Sequence, residues 1–179
     1  MIQIQKLTTL YVPLEDRIRL TGAVVPQGSN SPTDQAPQTV AIWLTQRLLG
    51  RIVPSVLNWL ETADSVARQN TGLQSFRQEA AKAEHKPQPP VIPNPDGPDG
   101  QSWVAQTIQF KSGPNQMRLE FAAGPETRAA VVLPMQNTRQ WLGIVFHAYK
   151  AADWPLDIWP DWMKEAGSPP PPSGQSARH

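Results

Sequence analysis

The chain offers few side chains of the kinds that carry out chemistry. It contains no cysteine and only three histidines, His85, His147 and His179. A thiol nucleophile, a disulfide framework and a histidine-rich metal site are therefore excluded. His147 lies on a predicted helix without the second and third ligands that a metal ion needs, so we expect an ordinary surface or hydrogen-bonded histidine.

Motifs of the common enzyme classes are also missing. No serine stands in a G-x-S-x-G setting, and neither a G-x-x-x-x-G-K-[ST] nor a G-x-G-x-x-G loop occurs. Glu15 and Asp16 are adjacent carboxylates, but their position directly before the strand at Arg17 favours a turn over acid–base catalysis. We expect a protein that is not an enzyme, with no catalytic, cofactor-binding or metal-binding residues.

The most distinctive segment is the tail ADWPLDIWPDWM at 152–163. It contains Trp154, Trp159 and Trp162, and two of these precede proline, which disfavours helix. Such indoles either pack back onto the domain as an anchor or dock on a partner, where tryptophan is enriched at hot spots. The acidic residues between them suit the rim of an interface. The sequence leaves both possibilities open, and the leading hypothesis treats the three tryptophans as partner-binding residues.

Arginines on predicted strands give an alternative hypothesis. The formal net charge of +1 is not that of an obligate nucleic-acid binder. Arg17, Arg19 and Arg118 could nevertheless contact phosphates, while Trp43 or Trp103 stacks on bases. The sequence therefore also allows a single-stranded nucleic-acid-binding protein that uses an open sheet face.

The first half of the chain, residues 1–86, reads as strands followed by helices. The apolar alternation from Ile2 to Leu10 slips once, whereas 17–21 alternates cleanly and 39–43 returns as a strand. Thr45 is a predicted N-cap, and apolar spacings of three and four predict a helix up to about residue 67. Pro54 predicts a kink or break in this helix. Residues 73–86 predict a second, weakly amphipathic helix.

Residues 87–101 form a proline-rich linker, which we interpret as an extended spacer rather than a ligand for an aromatic groove. The second half, residues 102–166, contains three predicted strands, then a helix capped by Asn137 or Thr138, and the tryptophan-rich tail. The third strand, 128–133, is apolar throughout, which is typical of a central strand. Residues 167–179 are expected to be a disordered C-terminus.

The two halves suggest an internal repeat. Residues 17–20 (RIRL) match 116–119 (QMRL), the strand at 39 matches the strand at 128, and Leu49-Gly50 matches Leu142-Gly143. Glycine costs about 1 kcal/mol relative to alanine inside a helix, so a shared close approach of each helix to the sheet would explain both glycines. We predict an α+β fold, an antiparallel sheet with helices packed on one face, built from two pseudo-repeated strand-strand-helix units. That arrangement is similar, at the level of architecture alone, to single-strand binders of the Pur-alpha and whirly types.

No segment reads as a secretory signal or a membrane span, and we expect a cytoplasmic protein without membrane contact. The leading functional hypothesis is a non-enzymatic interaction or assembly module, an adaptor or subunit whose partner is another protein or a second copy of itself. The single-stranded nucleic-acid hypothesis is the alternative. An enzyme, the least favoured possibility, would show a deep pocket around titratable groups.

Overall fold

The computed structural model describes residues 1–24, 38–63, 70–86, 88–93 and 101–165. Alternating apolar segments form seven strands: β1 (Ile2–Val12), β2 (Arg17–Val24), β3 (Gln38–Leu44), β4 (Gln101–Val104), β5 (Thr107–Ser112), β6 (Gln116–Ala123) and β7 (Thr127–Pro134). The helices are α1 (Gln46–Ala63), α2 (Thr71–Ala83), α3 (Met135–Ala151) and α4 (Asp161–Glu165). The strands make one curled sheet in the order β4-β3-β2-β1-β7-β6-β5.

The sheet is mixed, so the prediction of a purely antiparallel sheet is wrong. Strands β1–β3 and β5–β7 each form an antiparallel meander, but β1 pairs with β7 and β3 pairs with β4 in parallel. Parallel neighbours need a long crossover connection. The chain between β3 and β4, which includes α1 and α2, provides one, and sequence alternation does not reveal it.

The predicted slip in the first strand is a β-bulge. The β1–β2 register shifts between Ile4 and Lys6, which inserts one extra residue. Because of this bulge Ile4, Leu7 and Tyr11 point to the same face of the sheet even though their spacing breaks the period of two. Strand β7 lies between β1 and β6, as predicted from its apolar sequence.

One face of the sheet, here called the inner face, carries the core. Residues such as Leu20, Ile42 and Leu119 belong to one buried cluster with the apolar sides of α1 and α3. Helix α1 begins after β3 and ends near the β5–β6 turn, where Trp59 Nε1 donates to the Gly113 carbonyl at 3.0 Å. Helix α3 contacts β1, β7 and β6, and α2 packs on α3 and α4.

The helix boundaries confirm some predictions and correct others. Thr45 Oγ1 accepts from the Leu48 N–H at 3.3 Å, as expected of the N-cap. Helix α1 continues through Pro54 without a break. Helix α3 begins at Met135 with Pro134 at the N-cap position, so the predicted cap at Asn137 or Thr138 is wrong. Thr138 Oγ1 instead donates to the Pro134 carbonyl at 3.0 Å.

Each half contains a three-stranded meander followed by a helix, although β4 precedes the meander of the second half. The internal repeat itself stays a prediction, and the proposed reason for its glycines is wrong. A Cβ built on Gly50 meets no described atom within 4 Å, whereas one on Gly143 lies 3.3 Å from Gln78 Nε2. Neither glycine lets a helix approach the sheet. Among the described residues, no helix is long and apolar enough to cross a membrane.

Candidate functional site

The tryptophan-rich tail packs against its own domain. Trp154, Trp159 and Trp162 are 6%, 1% and 4% exposed. Trp154 Nε1 donates to Asp16 Oδ1 at 3.0 Å, and Trp162 Nε1 donates to Glu61 Oε1 at 2.8 Å. These are the contacts of an internal anchor, one of the two roles that the sequence left open.

Trp159 lies in an aromatic cluster beneath the tail. Its ring meets Phe146 and Tyr149 edge-on, with centroids 5.1 and 5.3 Å away, the geometry that aromatic pairs prefer. Burial, with a smaller contribution from Asp157, raises the pKa of Tyr149 to about 12. The phenol therefore stays neutral at physiological pH.

The carboxylate pair at residues 15 and 16 lies in a turn, as the sequence predicts. Asp16 follows a short 3-10 turn and adopts a left-handed backbone conformation with φ 46°. Its Oδ1 accepts from Tyr11 OH at 2.9 Å as well as from Trp154. Burial and this hydrogen bond raise the pKa of Tyr11. Asp16 thus holds the tail and the first strand together, a role that sequence reasoning missed.

The opposite, outer face of the sheet carries four of the five residues in the nucleic-acid hypothesis. Arg19 and Trp43 are direct partners in the β2–β3 register, and the Arg19 guanidinium lies 5.7 Å from the centre of the Trp43 ring. Arg17 and Arg118 point to this face from β2 and β6. Trp103 does not, because it pairs with Ile42 and packs against the core.

Arg19 stacks on an aromatic ring and buries a guanidinium nitrogen. No described residue accepts a hydrogen bond from its guanidinium or forms an ion pair with it, and its Nε is buried without a partner. The ring beneath it is held in place, since Trp43 Nε1 donates to Ser102 Oγ at 3.0 Å. The Nη donors of Arg19 are therefore positioned by stacking and available to an anion.

The other two arginines of the nucleic-acid hypothesis, Arg17 and Arg118, have acidic neighbours. Arg17 lies 3.9 Å from Glu15, a partly exposed ion pair that contributes little to stability. Arg118 Nε and Lys111 Nζ both bond Glu120 Oε1, at 2.7 and 3.0 Å. The bonds from Arg118 and Lys111 lower the pKa of Glu120. Arg118 is thus partly neutralised, whereas Arg17 and Arg19 stand together on β2.

Charge is segregated by the fold. The strand registers place six cationic side chains and a single carboxylate, Glu120, on the described outer face; the cations are Lys6, Arg17, Arg19, Lys111, Arg118 and Arg128. The acidic residues of the tail lie on the helical side of the molecule, on the segment that packs against α3. A net charge near zero for the whole chain therefore coexists with a basic sheet face.

Part of the proline-rich segment lies on the outer face. The Val91 N–H donates to Thr8 Oγ1 at 2.8 Å. Thr21, the partner of Thr8 on β2, is only 1% exposed. Residues 88–93 thus lie at this level of the sheet, beside Thr8.

A buried arginine, Arg139, was not anticipated from the sequence. It is 2% exposed, its Nη2 donates to Gln74 Oε1 at 2.6 Å, and its guanidinium stacks on Trp162 at 5.7 Å. Burial, with Arg77 as a second cause, lowers its pKa to about 10, so it remains charged at neutral pH. Arg139 lies on the polar face of α3. The sequence pattern of α3 does not show that α2 and α4 cover this face.

The described residues offer few further groups that could bind a metal ion or catalyse a reaction, and comparison with known proteins identifies no related site. No group of three acidic or histidine side chains in the described ranges could hold a metal ion. No family model matches the chain, and no curated protein or solved structure is similar enough to support an argument. The function must therefore be inferred from the residues themselves.

Proposed function

We propose that the outer sheet face binds single-stranded nucleic acid. The observation that carries the proposal is the Arg19 guanidinium, stacked on Trp43 and without an acceptor among the described residues. A half-buried cation that lacks a partner is costly unless an anion reaches it. A phosphate would satisfy its donors in the planar geometry that arginine favours.

The surroundings of Arg19 support a single strand rather than a duplex. Leu10, its partner on β1, is 51% exposed, and Val104 beside Trp43 is 38% exposed. Proteins that bind single strands combine cations for the backbone with aromatic and apolar platforms for unstacked bases. Arg17, two residues from Arg19 on the same strand face, supplies a second phosphate contact.

Fluorescence anisotropy of a labelled single-stranded oligonucleotide, measured across a salt series, tests this function. Each phosphate contact contributes about −0.7 to the slope of log K against log salt for single strands. The double variant Arg17→Ala/Arg19→Ala should bind more weakly and show a slope smaller in magnitude by about 1.4. Arg51→Ala, an exposed position on α1, is the matched control and should behave like the wild type.

Two results would overturn the proposal. One is a flat salt response of the wild-type protein, because phosphate contacts impose a steep one. The other is equal binding by the double variant and by Arg51→Ala. A thermal melt of each variant establishes that a loss of binding does not reflect loss of the fold.

The interaction or assembly module stays a second proposal, now attached to a different surface. The tail tryptophans are buried, but Leu14 in the β1–β2 turn is 98% exposed and Leu10 on β1 is 51% exposed. A large exposed apolar side chain at a turn is available for a protein contact. Leu14→Ser should lower the mass observed in sedimentation if this turn forms a contact between copies. The same mass for both proteins would count against that contact.

A further inference from the structure

The proline-rich segment 88–93 combines high exposure with a defined attachment to the sheet. None of its residues belongs to a helix or a strand. Ile92 is 75% exposed, a large fraction for an apolar side chain of this size. Val91, its neighbour, is half-buried, and the Val91 N–H donates to Thr8 Oγ1 at 2.8 Å. The domain therefore holds the segment at one residue and presents the rest of it to solvent.

The sequence of this segment, QPPVIP, favours one backbone conformation, the polyproline II helix. Each proline fixes its own φ near about −65°, and the residue before a proline is held in the extended region. These two effects cover every residue of the segment except Val91. A polyproline II helix makes no internal hydrogen bonds. Among the described residues, none donates a hydrogen bond to a carbonyl of this segment, so its carbonyls are available to a partner.

The exposure pattern fits a helix with about three residues per turn. With that period, residues 89 and 92 share one face, residues 90 and 93 share the next, and Val91 belongs to the third. Pro89, Pro90 and Ile92 are exposed, and Pro93 keeps part of its surface exposed. The dipeptides Pro-Pro at 89 and Ile-Pro at 92 therefore lie on the two faces away from the sheet. Val91, between them, lies on the face that contacts it.

This arrangement is the one that polyproline-recognition domains require. Such domains bind P-x-x-P segments in aromatic-lined grooves, and they exploit the preformed helix because it loses little entropy on binding. Pro90 and Pro93 have this spacing. Attachment to the sheet restricts the segment further, and a ligand that is held in its bound conformation binds more tightly. A simple spacer would require neither this attachment nor an exposed Ile92.

The charge beside the segment indicates one further property of the partner. Lys86 lies just before the segment, is exposed, and forms no ion pair with a described residue. No acidic residue occurs from His85 to Pro93. An acidic side chain beside the partner's groove would therefore complement the N-terminal end of the segment and fix the direction in which it binds.

We propose that residues 88–93 are the docking segment for a polyproline-recognition domain that has two adjoining aromatic-lined grooves and an acidic residue at one end. The two dipeptides fill the grooves, Lys86 meets the acidic residue, and Val91 keeps its bond to the sheet. The proposal requires neither Arg19 nor nucleic acid, so it stands or falls separately from the proposed function of the outer face.

A panel of purified SH3 domains, which bind P-x-x-P segments in this way, tests the proposal by surface plasmon resonance on the immobilised full-length protein. Binding should fall at least about tenfold in the double variant Pro90→Ala/Pro93→Ala. Val91→Ala keeps the N–H that Thr8 accepts and changes only the face toward the sheet. It is the matched control and should bind like the wild type. Lys86→Glu should weaken binding, because it opposes two negative charges.

Two results would overturn the proposal. One is the absence of binding to the wild-type protein by every domain of the panel. The other is an equal loss of affinity in Val91→Ala and in the double proline variant, since the model of two dipeptides around a spacer requires them to differ. A thermal melt of each variant shows that the fold is retained.

Thr8→Val tests the role of the attachment. This variant frees the segment, which must then be ordered on binding, so the affinity for the tightest-binding SH3 domain should fall about fivefold, the equivalent of one hydrogen bond. Thr107→Val is the matched control and should leave the affinity unchanged. Tighter binding by Thr8→Val would show that the sheet hides the segment instead of presenting it, and would contradict the proposal.

Discussion

Trp154 and Asp16 lie 138 positions apart in the chain and are joined by one hydrogen bond of 3.0 Å from the indole nitrogen to the carboxylate. The bond connects the tryptophan-rich tail with the first turn of the sheet. Because Tyr11 OH also donates to the same oxygen, a single exposed aspartate satisfies two aromatic donors. The tail is therefore held by specific polar contacts as well as by buried ring area.

Removing this acceptor should destabilise the protein. Asp16→Ala leaves a largely buried indole N–H without a partner, at a cost of about 1–3 kcal/mol. It also puts alanine at φ 46°, in the left-handed region that alanine adopts less readily than aspartate. Asp16→Asn keeps both an acceptor and the backbone preference and should cost less. Urea unfolding measures both. Glu15→Ala, which removes the neighbouring exposed carboxylate, is the control; an equal loss in Glu15→Ala and Asp16→Ala would refute the anchoring role.

The proline-rich segment should contribute to stability at its contact with β1. Thr8→Val removes the oxygen that accepts from the Val91 N–H and should lower the free energy of unfolding by about 1 kcal/mol. It should also speed proteolysis within 88–93, because the segment loses its attachment to the sheet. Thr107→Val, exposed on edge strand β5, controls for the substitution itself. Cleavage at the wild-type rate would mean that this contact does not hold the segment.

The two helix glycines should respond differently to alanine. Gly50→Ala meets open space among the described residues, so better helix propensity should stabilise the protein by up to about 1 kcal/mol. Gly143→Ala crowds Gln78, which is held by its bond to Arg139, and should bring no gain. Thermal melts of the two variants measure the difference. Destabilisation at both positions would restore the idea of a shared, repeat-related contact.

Stability should fall on mild acidification because of His147. Its pKa is lowered in the folded protein by burial, Lys82 and Lys150, so the unfolded chain binds a proton at a higher pH than the native protein does. Stability is then present above the ordinary pKa of about 6.5 and is lost as the pH falls through the lower native value. His147→Gln should flatten this part of the pH profile, measured by urea midpoints. An unchanged profile would show that another group is responsible.

The sequence predicts much of the fold because alternation is local. The bulge in β1, the cap at Thr45 and the central position of β7 all follow from residue patterns. The parallel pairs β1–β7 and β3–β4 do not, because they depend on which distant strands meet. Pro54 is accommodated within α1, so a local rule is overridden by the packing of buried neighbours on both sides of it.

The candidate sites show the same division. Arg19 and Trp43 are opposite each other because β2 and β3, which are consecutive in the chain, pair antiparallel. The sequence identifies both as candidate nucleic-acid-binding residues. Trp103 lies on the inner face because the β3–β4 register places it opposite Ile42, and the sequence does not show which residues of two distant strands meet. The burial of Arg139 depends on how two helices of different halves pack, which periodicity within either helix does not report.

The central claim, that single-stranded nucleic acid binds on the outer face, is tested most directly by the indole N–H signals of the seven tryptophans in a ¹H–¹⁵N spectrum. Trp43→Phe assigns the Trp43 signal. On titration with a single-stranded oligonucleotide, we predict that the Trp43 signal shifts while those of Trp103 and the three tail tryptophans stay in place. A spectrum in which Trp43 does not move, or moves no more than the buried tail indoles, would contradict the account.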